Sequence, residues 1–199
     1  MKASGIILAG GYSSRMGQDK TLMPVNAETL IERAVTELRK TVDEIIIASN
    51  QKAKYNLPGT VEVEDIYPGM GPLGGIHAGL SAANYQYAFV MAADMPLFSA
   101  DLAGYLLNRC DGYDVVAPEV NGQWEPLCAV YAKDCIKPIE KLLAEDVKKA
   151  QYFLSLVRVL KISQKELAMI GKTNDIFYNL NTPEDYQKFL SEGKYKESI

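Results

Sequence analysis

Residues 3–20 have the sequence ASGIILAGGYSSRMGQDK, in which an apolar run opens into glycines and then into a polar segment with two cations. The apolar part, residues 3–9, predicts a buried strand. Near-continuous apolar strands are typical of parallel sheets that are covered by helices on both faces. The start of the chain therefore indicates an α/β protein whose first strand ends in a glycine-rich loop.

Strand and helix patterns alternate along the rest of the chain, which predicts right-handed βαβ units. The Asn121-Gly122 pair is a strong hairpin signal and adds an antiparallel part. We therefore expect a three-layer α/β fold with an open, mostly parallel, Rossmann-like sheet, in a single domain over residues 1–199. The later strands are predicted at 44–49, 61–64, 87–93, 114–120, 124–132 and 157–162, and the helices at 30–38, 72–83, 101–110, 134–144 and after Pro183.

The composition argues against several classes of function. The formal net charge is −4 over 199 residues, whereas proteins that bind nucleic acids or anionic membranes usually have a basic face. The N-terminal apolar run is too short for a secretory signal, and no run approaches the ~20 apolar residues of a membrane span. Cys110, Cys128 and Cys135 lack the spacing of a zinc site or a disulfide framework. We expect a cytoplasmic protein with reduced cysteines.

In open α/β sheets, ligands bind beyond the carboxyl ends of the strands. The loop after the first strand contains Gly10, Gly11 and Gly17, which would let backbone N–H groups approach a polyphosphate, and two cations that would neutralise it, Arg15 and Lys20. The loop has neither the Walker pattern nor the dinucleotide fingerprint. A surface loop with solvated cations is the alternative.

Two further segments follow predicted strands. Residues 65–75, DIYPGMGPLGG, place Asp65 before a glycine-rich helix start, which is either an anion site or a surface turn. Residues 90–96, VMAADMP, place Asp94 at the end of an apolar strand. Magnesium commonly takes one or two carboxylates together with substrate phosphate oxygens. Asp94 is therefore either a Mg²⁺ ligand or a turn cap.

These segments resemble the motifs of the molybdenum cofactor guanylyltransferase family, within the sugar-nucleotidyltransferase-like enzymes. The resemblance covers residues 4 to about 190, and it is carried by LAGGYSSRMGQDK (8–20), DIYPGMGPLGG (65–75), AADMP (92–96) and NLNTPED (179–185). It implies a magnesium-dependent transfer of GMP from GTP to the terminal phosphate of molybdopterin, with release of pyrophosphate. Other proteins of molybdenum cofactor biosynthesis are implied as partners, and a monomer is the default expectation.

The resemblance also implies roles for individual residues. Leu8, Ala9 and Gly10 would contact the guanine nucleotide, and Lys20 its phosphates. Asp65 would bind the base or the ribose. Asp94 would bind both the nucleotide and Mg²⁺, and Arg15 would neutralise the triphosphate. The expected catalytic set is thus Arg15, Lys20 and Asp94.

The acceptor side is less sharply defined. Asn179 and Asn181 resemble acceptor-side residues, although Thr182 to Asp185 also form a helix-capping pattern. The chain departs from the family at Ala27, where the family often has a glycine and Asn26 is expected to supply the positive φ of the turn, and at Lys148 or Lys149, where the family has an arginine.

Two other residues are assigned mainly to structure. His77 has no second histidine with which to form a metal pair, so we expect a structural role. Trp124 either stacks on a pterin or is an ordinary, partly buried aromatic residue.

Two alternative functions remain open. A molybdopterin cytidylyltransferase is disfavoured because that branch tends to have L-A-A-G where this chain has Gly10. A nucleotide-binding protein without catalysis is disfavoured by the intact Arg15, Lys20, Asp65 and Asp94.

Overall fold

The computed structural model describes residues 1–10, 19–51, 53–171 and 173–192. Strands and helices alternate along these residues, as predicted. The strands are β1 (Ser4–Leu8), β2 (Pro24–Val25), β3 (Glu28–Thr29), β4 (Glu44–Ser49), β5 (Thr60–Glu64), β6 (Tyr87–Ala92), β7 (Val115–Val120), β8 (Gln123–Trp124), β9 (Cys128–Ala132) and β10 (Val159–Ile162). The helices are α1 (Leu30–Leu38), α2 (Gly71–Ala82), α3 (Ala100–Leu107), α4 (Ile136–Ala144), α5 (Ala150–Leu154), α6 (Gln164–Leu167), α7 (Thr173–Ile176) and α8 (Pro183–Glu192).

The main sheet has the order β10-β7-β9-β6-β1-β4-β5 within the described residues, and β8 pairs with β7. Strands β5, β4, β1 and β6 are parallel to one another, and so are β7 and β10. Strand β9 runs antiparallel between β6 and β7. The prediction of a mostly parallel sheet with an antiparallel hairpin portion is therefore confirmed.

Helices cover both faces of this sheet, which gives the predicted three layers. Adjacent β1 residues point to opposite faces, so Ile7 packs in one buried cluster and Ile6 in the other. Apolar residues of α1, α3, α6 and α7 complete the first cluster, and those of α2, α4 and α5 complete the second. Because both faces are buried there, the central strands β1, β4, β6 and β9 are mainly apolar, whereas the edge strand β5 (TVEVE) is not.

The register brings several strand ends to one edge of the sheet. Leu8, at the end of β1, lies opposite Ala48 in β4 and Ala92 in β6. Ser49, at the end of β4, lies opposite Glu64 in β5. The residues that follow β1, β4, β5 and β6 are therefore neighbours along this edge.

The prediction of one strand over residues 124–132 is wrong. Strand β8 stops at Trp124, and β9 begins at Cys128. Between them, the Glu125 N–H donates to the Pro118 carbonyl (3.0 Å), and the Cys128 N–H donates to the Glu125 carbonyl (3.1 Å). Pro126 has no N–H to donate to a ladder, so the chain turns at this point. We call residues 123–127 the β8–β9 corner.

A smaller third cluster joins the C-terminal helix to the β2–β3 hairpin. Met23, Val25 and Leu30 pack in it with residues of the last segment, and the Tyr186 hydroxyl donates to the Pro24 carbonyl (2.6 Å). Asn26 in the hairpin turn has φ +58°, which confirms the expected left-handed conformation. Among the described helices, none is both long and apolar enough to cross a bilayer.

Candidate active site

Asp94 follows β6 at the edge where the strand ends meet. The N–H of the preceding residue, Ala93, donates to the Leu8 carbonyl (3.1 Å), which ties this turn to the end of β1. Oδ2 of Asp94 accepts a hydrogen bond from Nζ of Lys20. Oδ1 is buried and has no hydrogen-bond partner among the described residues. The carboxylate therefore forms an ion pair and leaves one oxygen available, which is not the pattern of a turn cap.

The position of Lys20 is set by a short 3₁₀ turn, Lys20–Leu22, that Asp19 caps through the Thr21 N–H (3.0 Å). Asp19 is itself paired with Lys54. Burial would raise the pKa of Asp19, but the charge and hydrogen bonds of Lys54 and Thr21 outweigh it, so the pKa lies below its ordinary value. The side chain of Lys20 is only 25% exposed. Lys20 is therefore a positioned cation of the site, and the solvated alternative does not describe it.

Asp65 follows β5 and faces the start of α2. If Gly75 carried a Cβ, that atom would lie 3.5 Å from Asp65 Oδ1 and 3.1 Å from Leu8 Cδ2. A side chain at residue 75 would thus crowd the end of β1 and come into contact with the carboxylate. Burial raises the pKa of Asp65 to about 6, and no hydrogen bond or opposite charge of the described residues offsets this effect. Such a desolvated carboxylate is suited to accept hydrogen bonds from a ligand.

Gly10 lies next to the loop that follows β4. A Cβ at Gly10 would lie 3.2 Å from Oδ1 of Asn50, a residue that is exposed and directly follows β4. A side chain at residue 10 would therefore be in tight contact with the amide of Asn50. The preceding residue, Ala9, accepts a weak hydrogen bond from the Tyr55 hydroxyl (3.4 Å).

A cavity of about 320 Å³ opens beside Asp94 on its β9 side. It is bounded by the β8–β9 corner and by the segment that precedes α8. The corner reaches this place because β9 runs antiparallel to β6, with the Ala92 N–H donating to the Leu127 carbonyl (3.0 Å). The polar and aromatic residues that line the cavity include Asp94, Trp124, Glu125, Gln151, Asn179 and Asn181.

The segment before α8 is fixed to Asp94 by its backbone. The Leu180 N–H donates to the Asp94 carbonyl (3.0 Å), and the Leu180 side chain is fully buried. Its two neighbours, Asn179 and Asn181, line the cavity. The capping pattern is also present, because the N–H groups of Asn181 and Thr182 donate to Asp185 Oδ2 (3.1 and 2.9 Å). The same segment therefore both caps the start of α8 and lines the cavity.

The oxygen donors at this edge fit a magnesium ion. The free Oδ1 of Asp94 is a hard anionic donor, and the amides of Asn179 and Asn181 line the same cavity. No group of three histidine, cysteine or acidic side chains arranged for a metal occurs among the described residues. A magnesium ion that shares its coordination with substrate phosphates needs no such group.

The remaining predicted residues have different outcomes. Arg15 lies outside the described residues, as does the rest of 11–18. Nζ of Lys148 lies 3.2 Å from Oδ1 of Asp146, so these two residues form an ion pair. His77 is buried in α2 against the Tyr67 ring, with Nε2 3.1 Å from Glu140 Oε1, in agreement with a structural role. The three cysteines are buried and free.

Sequence reasoning missed Glu125, Gln151 and Asn50. Glu125 was hidden because residues 124–132 were predicted as one strand, and Gln151 because no element was predicted where α5 (Ala150–Leu154) lies. The available signal was Pro126, which disfavours a continuous strand at that point.

A three-layer α/β sheet with a lysine-paired aspartate at the edge where its parallel strands end is the architecture expected of a nucleotidyltransferase. Residues 5–162 match the family model of the MobA-like NTP transferase domain, and the chain belongs to this family.

The chain is 39% identical to a probable molybdenum cofactor guanylyltransferase of Pelotomaculum thermopropionicum, over 94% of this chain and 92% of that protein. It is 36% identical to a protein of the same description from Carboxydothermus hydrogenoformans, over 96% of both chains. Its fold is similar to that of a crystal structure described as molybdopterin-guanine dinucleotide biosynthesis protein A from Archaeoglobus fulgidus. The TM-score is 0.81 and the identity is 23%, over 95% of this chain and 99% of the other.

Proposed function

We propose that this nucleotidyltransferase transfers GMP from GTP to the terminal phosphate of molybdopterin and releases pyrophosphate. The observation that carries the proposal is the Asp94 site, where a lysine-paired carboxylate with one free, buried oxygen lies between the β1 end and a separate cavity. A nucleotide on one side of Asp94 and an acceptor phosphate on the other would meet at this carboxylate. The names of the relatives supply the two substrates, GTP and the molybdenum cofactor precursor.

On the nucleotide side, we assign Leu8, Ala9 and Gly10 to the nucleotide and Asp65 to the base or ribose. A carboxylate accepts hydrogen bonds from the adjacent 2-amino and N1–H groups of guanine, which cytosine does not present in this arrangement. The glycine at position 10, where the cytidylyltransferase branch tends to have alanine, supports the guanylyl over the cytidylyl reaction.

The proposed reaction is a direct in-line displacement. A phosphate oxygen of the acceptor forms a bond to the α-phosphorus of GTP, and the bond from that phosphorus to the bridging oxygen breaks, so pyrophosphate leaves with the electron pair. Lys20 holds the charge of the β- and γ-phosphates, and Arg15 is assigned the same role. Asp94 and the asparagines would hold Mg²⁺, which supplies charge compensation for the phosphate oxygens.

The whole chain, residues 1–199, is proposed to act as one cytoplasmic catalytic unit, and as a monomer. A single catalytic unit is supported because the segment before α8, which lies outside the residues matched by the family model, contributes Asn179 and Asn181 to the cavity beside Asp94.

The test is nucleotide-dependent pyrophosphate release by the purified protein with molybdopterin and Mg²⁺. We expect turnover with GTP and at least tenfold lower kcat/KM with CTP and ATP. Turnover that prefers CTP would replace the proposal with a cytidylyltransferase, and GTP binding without pyrophosphate release would replace it with a non-catalytic binding protein.

A further inference from the structure

The carboxylate of Glu125, like that of Asp65, is desolvated and has no partner among the described residues. Glu44 is typical of the others, because it accepts hydrogen bonds from Ser4 Oγ (2.6 Å) and from Asn84. Glu125 lies half-buried in the β8–β9 corner, and burial raises its pKa with no hydrogen bond or opposite charge of the described residues to offset this. Desolvation without compensation is unfavourable unless a ligand provides donors.

The surroundings of Glu125 indicate what such a ligand would be. It lines the cavity beside Asp94 together with Trp124, whose indole is an aromatic surface suited to a flat heterocycle. Gln151 is already engaged, with its side-chain amide 3.5 Å from the Trp124 carbonyl. The corner therefore offers one aromatic surface and one acceptor-only group.

We propose that Glu125 is the residue that selects the pterin of the acceptor, an inference that rests on the proposed function. Its two oxygens accept hydrogen bonds from the N3–H and 2-amino groups of the ring, while Trp124 stacks on it. A carboxylate provides two acceptors and no donor, which matches two adjacent N–H groups. The acceptor phosphate then extends toward Asp94, Asn179 and Asn181.

This assignment gives Asp65 and Glu125, two desolvated carboxylates, the same kind of role. Guanine and pterin share a 2-amino-4-oxopyrimidine ring and present the same pair of donors. In this proposal, Asp65 accepts hydrogen bonds from these donors on the nucleotide, and Glu125 accepts them from the same donors on the acceptor. The strands that position them, β5 and β9, are four places apart in the sheet, a separation of about 19 Å at the usual strand spacing.

The test compares Glu125→Gln with Glu119→Gln. Glu119 is a matched control because it lies in the neighbouring strand β7 and is paired with Lys161 at 3.2 Å. Trp124 is the single tryptophan of the chain, so its fluorescence reports directly on ligands in the cavity. The probe is 6-hydroxymethylpterin phosphate, and its analogue 6-hydroxymethyllumazine phosphate has a 2-oxo group in place of the 2-amino group.

For Glu125→Gln we expect the Kd of the pterin phosphate and the KM of molybdopterin to rise by about 10- to 100-fold, as for the loss of charge-assisted hydrogen bonds. The KM of GTP should stay within twofold of wild type. The wild type should prefer the pterin to the lumazine, and Glu125→Gln should lose this preference because its amide can donate to the 2-oxo group. Glu119→Gln should behave as wild type.

An unchanged molybdopterin KM in a Glu125→Gln variant with a wild-type melting temperature would overturn the assignment of Glu125 but would leave the proposed function intact. An equal rise in the KM of GTP would also overturn it, because Glu125 would then serve the nucleotide. A wild-type protein that binds the pterin phosphate with no change in Trp124 fluorescence would place the ring elsewhere. A wild type that uses neither molybdopterin nor the pterin phosphate would overturn the proposed function together with this inference.

Discussion

At the scale of single residues, the nucleotide contact proposed for Asp65 would oppose the stability of the folded protein. Its pKa is raised to about 6 by burial, so the folded protein holds this proton more tightly than the unfolded chain does. The contribution of Asp65 to stability therefore falls as the pH rises from about 4 through about 6, and the ionised form is destabilising at neutral pH. Only the ionised form, however, can accept two hydrogen bonds from a guanine base.

We therefore expect Asp65→Asn to have opposite effects on stability and on binding. At pH 7.5 the variant should melt at or above the wild-type temperature, since a desolvated charge is removed, and this difference should vanish near pH 4. Its Kd for GTP should rise by at least tenfold. Wild-type GTP affinity should decline as the pH falls below about 6. Thermal melts and GTP titrations from pH 4 to 8 measure both effects, and a less stable variant with normal GTP affinity would contradict the assignment.

Gly10 carries a second prediction at this scale. A methyl group there would lie 3.2 Å from Asn50 Oδ1, closer than an ordinary van der Waals contact. We expect Gly10→Ala to lower kcat/KM for GTP by at least tenfold, the usual cost of a misplaced methyl group in a binding pocket. Gly104→Ala is the control, because its Cβ would meet only Thr41 Cγ2 at 3.6 Å.

The double variant Gly10→Ala/Asn50→Ala separates two causes of that loss. Recovery of GTP activity in the double variant would show that displacement of the Asn50 amide is responsible. No recovery would indicate that the backbone at residue 10 itself contacts the nucleotide. Unchanged kinetics in the single variant would remove Gly10 from the nucleotide site.

At the scale of secondary structure elements, the segment before α8 links packing to the acceptor cavity. Leu180 is fully buried in the third cluster, with Met23 and Phe189, while both flanking asparagines line the cavity. Leu180 and its two neighbours thus face different surroundings, the buried cluster and the cavity. Burial of Leu180 therefore fixes where Asn179 and Asn181 are presented.

We expect Leu180→Ala to reduce stability by about 2–5 kcal/mol, as for other buried leucines, and also to raise the KM of molybdopterin more than that of GTP. Leu106→Ala is the matched control, because Leu106 is equally buried but lies in α3. The control should lose similar stability with normal kinetics at a temperature where both variants are folded. Equal kinetic effects in the two variants would mean that stability alone is responsible.

The elements also explain which parts of the molecule the sequence could predict. Long, periodic segments such as α1 and β4 were predicted with their observed bounds, because both are buried on a regular repeat. The motifs that follow strands β1, β5 and β6 also predicted that Lys20, Asp65 and Asp94 lie along one edge of the sheet, as the structure shows. The acceptor side was found only in part. Its corner depends on how β9 inserts between β6 and β7, and such long-range pairing leaves no local pattern.

At the scale of the whole molecule, the strand order separates two halves of the site. In the proposed function, the ends of β1, β4 and β5 would form the nucleotide half, and the β8–β9 corner with the segment before α8 would form the acceptor half. Asp94 follows β6, which pairs with both β1 and β9. Changes confined to opposite halves should therefore be independent, whereas a change at Asp94 should affect both.

We expect this division to be visible in a double-mutant cycle. Asp65→Asn and Glu125→Gln should combine additively in the free energies derived from kcat/KM, to within about 0.5 kcal/mol, because the residues are far apart and share no partner. Coupling well above that value would show that one ligand contacts both carboxylates, and the proposed division into halves would be wrong.

Asp94→Asn should behave differently from either of these variants. Asparagine keeps the size of the side chain and can still accept the hydrogen bond of Lys20, so the protein should melt within a few degrees of wild type. It loses the negative charge that would hold Mg²⁺ next to the reacting phosphates. Loss of one preorganised stabiliser of developing charge costs about 10²–10³ in rate, so kcat should fall at least that far.

The control is Asp101→Asn, which changes an exposed carboxylate in the first turn of α3 and should retain wild-type kcat. Pyrophosphate release measured over a range of Mg²⁺ and Mn²⁺ concentrations should recover part of the lost rate at high metal. If Asp94→Asn retains a rate within about tenfold of wild type, far less than the expected loss, then Asp94 is not the residue through which the two halves of the site act together.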